Sequence, residues 1–169
     1  ALPISTILVL GGLLAVLGTN DRASELVQDL PFAARTSMLV FDDGTGPAMY
    51  VAGSFSHIAG NTALSRIAKY KNGVFTPLAT GFNNQVNALA IHDDGTGPAL
   101  YAAGMFTVAS GTPANRIAKW KNGQWHALAG GLGTGNSNLQ FVNALASFDD
   151  DGPGPMPPAL YAAGTFTSA

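Results

Sequence analysis

From Arg35 onward, largely apolar runs of five to ten residues are each bounded by Asp, Gly, Pro, Asn, Thr or Ser. Short runs between turn residues predict β-strands rather than helices. The clearest stretch gives four of them. Strand a is Val86 to His92, VNALAIH; an acidic turn DDGTGP follows; strand b is Ala99 to Val108; the linker ASGTPAN leads to strand c, Arg116 to Lys121; strand d is Gln124 to Leu128. Between c and d stands Lys121-Asn122-Gly123, and Asn-Gly supplies the positive φ angles that a type I′ hairpin turn requires.

The pattern is a repeat. Asp93 to Thr107, DDGTGPALYAAGMFT, returns as DDGTGPAMYVAGSFS at Asp42 to Ser56 and as DDDGPGPMPPALYAAGTFT at Asp149 to Thr167. RIAKYKNG at Arg66 to Gly73 and VFTPL at Val74 to Leu78 give the first unit its strands c and d. VNALASF from Val142 opens a third unit, which stops inside strand b at Ala169. A spacing near fifty residues marks one supersecondary unit stacked on copies of itself. The predicted organisation is therefore an N-terminal segment at 1–34, a first unit at 35–80, a second at 81–130 and a partial third at 131–169. Four-stranded antiparallel units at this spacing predict an all-β fold of β-propeller blades, about two and a half to three of them. Closure takes roughly 4 to 8 blades, so we expect a piece of a longer array.

The N-terminal segment admits several readings. Ala1 to Ile4 matches the translation of a common sequencing-adapter end and reads either as an artefact of that kind or as a native N-terminus left by processing. ILVLGGLLAVLG, Ile7 to Gly18, reads either as the apolar core of an export signal or as a worn strand b, with Gly12 matching Gly104 and Val16 matching Val108. It is too short for a membrane-spanning helix of about 20 residues. Arg22 to Leu30 has the makings of a short amphipathic helix ended by Pro31.

Composition sharpens the class. Hydrophobic residues are 47% and charged residues 11%, with 21 glycines and 10 prolines among 169 residues, which suits short strands and tight turns. A net charge of -2 leaves no basic footprint for nucleic acid and no polybasic membrane patch. The absence of cysteine excludes a disulfide framework, a thiolate metal site and a cysteine nucleophile.

The unit resembles a kelch-type blade. ALYAAGMF stands where kelch repeats have an apolar strand running into a small-residue pair, and RIAKWKNGQWHAL resembles the kelch strand c, turn and strand d, with aromatics at Trp120 and Trp125 (Tyr70 and Phe75 in the first unit). The kelch double glycine is Ala-Gly in all three copies, a departure from the standard motif. Phe41 to Ala169 is also similar to a repeat of large secreted bacterial proteins of planctomycete type and of the fungal cortical cell-polarity marker, with the pattern ALYxGGxFTxAGG, NRIAxW and DDGxGPAL. The resemblance implies a propeller and a secreted or cell-surface location. A fold of this kind hosts many chemistries.

Candidate chemistry concentrates at two ends. Seven acids lie in the a–b turns (Asp42, Asp43, Asp93, Asp94, Asp149, Asp150, Asp151) and six bases in or beside strand c (Arg66, Lys69, Lys71, Arg116, Lys119, Lys121). In an up-and-down blade both sets reach one rim, as solvated ion pairs. Calcium is the rival reading, but the turns lack the alternating Asp spacing and a closing Glu, and Asp-Gly and Gly-Pro already account for them as turn chemistry. The opposite end carries polar loops that differ in length between copies. Loops of that kind on a rigid scaffold are where binding resides, and they nominate Asn83, Asn84, Gln85, Asn136 and Asn138 as ligand contacts, against the plainer reading that Asn and Gly there serve turn geometry alone. His57, His92 and His126 fall at unrelated places in the unit, Tyr50, Tyr101 and Tyr161 recur as packing positions, and no HExxH, GxSxG or phosphate loop occurs. No catalytic residue, cofactor site or metal site is nominated. The expected function is a binding or display module for a carbohydrate or protein ligand; the alternatives are part of a propeller-type hydrolase or lyase with its catalytic residues on other blades, and a purely structural repeat.

Overall fold

The computed structural model describes residues 6–10, 13–17, 37–58, 64–133, 139–152 and 156–168, and within them the protein is all-β, with no helix. β3 (Ser37–Phe41), β4 (Ala48–Ala52), β5 (Ile67–Lys71) and β6 (Val74–Pro77) form one antiparallel sheet in chain order. β7 (Val86–Asp93), β8 (Pro98–Gly104), β11 (Ile117–Lys121) and β12 (Gln124–Ala127) form a second in the same order, and β13 (Phe141–Phe148) pairs with β14 (Ala159–Thr165). These are strands a to d of the sequence units. Both c–d turns have the expected backbone, with φ of 52° at Asn72 and Asn122, 84° at Gly73 and 76° at Gly123.

Strand b is shorter than the Ala99 to Val108 read from the sequence. It ends at Gly104, and the chain resumes as β9 (Val108–Ala109), paired with β10 (Thr112–Pro113) in the b–c connection. The cause is a close approach of backbones: the Gly104 N–H donates to Arg116 O at 3.0 Å, and a β-carbon on Gly104 would lie 2.2 Å from Gln85 O. Beside it the β7–β8 register slips between Val86 and Ala88; β13–β14 repeats the slip between Val142 and Ala144 next to Gly164. Each slip is a bulge that re-aims the start of strand a.

The first two sheets pack face to face. Tyr50, Ala52, Ile67 and Leu78 from one meet Phe82, Leu100, Ala102, Phe106, Trp120 and Trp125 from the other in a single buried cluster. Phe82 centres it, 4.3 Å from the Phe106 ring and 4.6 Å from Trp125, whose Nε1–H reaches back to Leu78 O at 3.3 Å. Burying a side chain of Leu or Phe size contributes about 2 kcal/mol, so this interface dominates the stability of the pair. The second sheet buries its other face as well: Ala103 and Ile117, with Leu132 from the connection that follows, are covered by Val142, Leu145, Leu160, Ala162 and Phe166 of the third unit.

The apolar N-terminal run contains two strands paired with one another, β1 (Thr6–Leu10) and β2 (Leu13–Leu17), rather than a single strand of the b type. Arg22 to Leu30, the predicted helix, lies outside the described residues. No helix among the described residues is long and apolar enough to cross a membrane.

Candidate functional site

The acidic turns are built by their own side chains. Asp42 Oδ1 accepts from the Gly44 and Gly46 N–H groups at 2.9 and 2.8 Å, and Asp93 Oδ1 accepts from Gly95 and Gly97 at the same two distances. Asp43 then receives Lys69 Nζ at 2.8 and 2.7 Å and the Thr45 hydroxyl at 2.7 Å; Asp94 receives Lys119 Nζ at 2.6 Å and the Thr96 hydroxyl at 2.6 Å. Lys71 and Lys121 donate to the carbonyl oxygens of Thr45 and Thr96. The shared rim is thus a lattice of Asp, Thr and Lys, repeated residue for residue.

Its electrostatics follow from that lattice. Burial raises the pKa of the Asp43 carboxyl, but the bonds from Lys69 and Thr45 and the neighbouring Tyr50 hydroxyl outweigh it and hold the group well below the usual carboxylate range. The Lys119 bond, then Thr96, does the same for Asp94. Burial and the adjacent carboxylates push the Tyr50 and Tyr101 hydroxyls above their ordinary value. Both ammonium groups also sit over these rings, Lys69 at 5.6 Å from the Tyr50 centroid and Lys119 at 5.8 Å from Tyr101, a favourable cation–π arrangement. Tyr50 and Tyr101 therefore pack and seat the lysines.

In the third unit Asp149, Asp150 and Asp151 bring carboxylate oxygens within 4.8 Å of one another. Tyr161 donates to Asp150 at 3.3 Å as Tyr101 does to Asp94 at 3.2 Å, yet no lysine reaches this turn among the described residues.

The two arginines leave the rim. Arg66 and Arg116 stand at the start of strand c, at the loop end, with φ of 67° and 65°. Arg116 is 1% exposed; its Nε donates to Gln140 O at 2.9 Å and its Nη1 to Leu132 O at 3.2 Å, tying the second sheet to the loop that enters the third unit. Arg66 Nη1 donates to Ser54 O. Sequence reasoning grouped them with the lysines because it saw charge in strand c; the stagger of three residues from Arg to Lys, which puts them toward opposite ends of a strand, was the available signal.

At the loop end, Asn83 is a clamp: its Oδ1 accepts from the Thr107 and Val108 N–H groups, each at 3.0 Å, and its Nδ2 donates to the Thr107 hydroxyl at 3.0 Å. Asn84 Oδ1 accepts from the Gln85 N–H at 2.8 Å, and Gln85 Nε2 donates to Asn87 Oδ1 at 2.7 Å. Asn83 is itself exposed, and Asn84 and Gln85 are partly exposed beside it. Asn136 and Asn138 lie outside the described residues. Asn87, not singled out by the sequence, continues the network with its Nδ2 donating to Val142 O at 2.7 Å.

The histidines stand apart. His57 contacts Ser56, His126 is exposed on β12, and the buried His92 pairs its Nδ1 with the Ser147 hydroxyl at 2.9 Å and packs on the Tyr101 ring at 5.6 Å.

What these observations define is a class: an all-β protein of repeated four-stranded antiparallel sheets, with an ion-paired rim at one end and clamped polar loops at the other. No protein-family model, curated protein or solved structure matches the chain.

Proposed function

We propose that the sheets are blades of a kelch-like propeller belonging to an exported bacterial protein, and that the molecule is a binding or display module whose loop end takes a carbohydrate or protein ligand. The radial part rests on the a strands. β3, β7 and β13 lie side by side, linked by the Leu89 N–H to Ser37 Oγ at 3.1 Å, by Asn87 to Val142 O and by His92 to Ser147, while β6 and β12 are the outermost strands of their sheets.

The observation that carries the ligand reading is the contrast between the ends. The rim turns keep one bonding pattern in both complete units, whereas the d–a loop changes length from one unit to the next over strands that keep their register. Asn84 and Gln85 offer amide donors and acceptors on a backbone that Asn83 holds fixed, the arrangement by which a rigid scaffold presents a polar contact surface. A glycan array probed with the labelled chain tests this. Binding to a defined glycan class, lost in N84A/Q85A and kept in K69A, is the expected result; binding that survives the loop substitutions and is lost in K69A places the ligand at the rim and overturns the assignment.

A further inference from the structure

We propose that the outer edge of β14 is a docking edge for a strand–turn–strand segment of the pattern Arg-Ile-Ala-Lys-aromatic-Lys-Asn-Gly, supplied by a further unit of the same repeat. In both four-stranded sheets, strand b is covered on that edge by such a strand in one register. Tyr50 faces Lys69 and Ala52 faces Ile67 on β4; Tyr101 faces Lys119 and Ala103 faces Ile117 on β8. The Gly53 and Gly104 N–H groups donate to Arg66 O and Arg116 O, and the arginine N–H groups donate to Phe55 O and Phe106 O. β14 shares ALYAAG with the second unit, where the first has AMYVAG, and keeps the same pairing with its strand a, but β13 is its single neighbour among the described residues. An edge of this kind presents a row of backbone donors and acceptors to an incoming strand.

Three further observations select the occupant. Tyr161 is 45% exposed where Tyr50 and Tyr101 are 0% and 1%. The carboxylates of Asp149 to Asp151 lack the lysine that the two other turns possess; in the shared register the incoming lysine lies opposite Tyr161, beside Asp150. A cleft of about 930 Å³ runs between the second sheet and β14, lined by Ile117, Lys119, Leu128, Leu132, Leu160 and Ala162. The corresponding space between the first two sheets is filled by Trp120 and Trp125, with the Trp125 indole bonded to Leu78 O. Leu128 takes the place of Leu78 in the second unit and is partly exposed, whereas Leu78 is 2% exposed. Charge, register and cleft thus fit one partner, and none of them depends on the loop-end ligand.

The test uses the full chain and a synthetic peptide of residues 115–128, NRIAKWKNGQWHAL, followed by fluorescence anisotropy. Saturable 1:1 binding is expected, abolished by N-methylation of the peptide alanine at position 118, whose amide faces strand b by the alternation of an antiparallel ladder. Glu in place of the peptide lysine at 119 weakens binding several-fold, and the exposed D150K substitution in the chain restores it. Absence of saturable binding overturns the proposal. So does binding indifferent to N-methylation, which marks apolar adherence, or a concentration-dependent dimer that the peptide fails to dissociate, which assigns the edge to a second copy.

Discussion

Arg116 combines three costs: a charge 1% exposed, a left-handed backbone and an ordered long side chain. It is kept because two carbonyl oxygens, of Leu132 and Gln140, take their hydrogen bonds from it. Removing a donor from buried acceptors leaves them without compensation, so R116A is expected to lower unfolding free energy by about 3 kcal/mol. Glycine relieves the positive φ, so R116G should be about 1 kcal/mol less damaging than R116A. Urea denaturation of the pair checks both; equal losses would show that the backbone is not strained there. At the rim, Asp43 titrates below its unfolded value. Its contribution is fully present above the ordinary carboxylate range and is lost as the pH falls through the folded-state value. D43N should therefore cost about 1 kcal/mol at neutral pH and nothing in strong acid, seen as a flatter acid limb in a plot of urea midpoint against pH.

At the level of elements, the hairpin turns are the simplest units to break. Asn72 and Asn122 occupy φ of 52°, so N122A should cost about 1 kcal/mol while N122G is nearly neutral, by thermal melting. These turns were legible because Asn-Gly has a single strong meaning, as were the strand order and the paired rims, because acidic and basic residues recur at fixed offsets. Other features were not legible. The end of strand b at Gly104 depends on how near Gln85 O comes, a distance between residues far apart in sequence. The burial of Arg116 depends on carbonyls in a loop that the sequence marks only as polar. Asn83 was legible as polar but not as a clamp, since its three bonds go to Thr107 and Val108, and an amide that fastens a loop has the same composition as one that meets a ligand.

For the whole molecule, the second sheet packs between two other units, the first on one side and β13–β14 on the other, whereas the outer face of the first sheet is covered by its own connection residues Phe55, Ile58 and Leu64. Stacked repeats draw stability from nearest-neighbour interfaces, so unfolding should begin at the flanks. Amide exchange is expected to be slowest at Leu100 to Ala103 and faster by orders of magnitude in β6 and β14; uniform protection across the three units would indicate one cooperative block instead. The Trp125 indole bonded to Leu78 O then takes on a further meaning. It is a latch between successive repeats, and with its neighbour Trp120, 5.2 Å away, replaced by Phe the tryptophan reports its state: quenching or a red shift of its emission would time the moment at which one repeat lets go of the next.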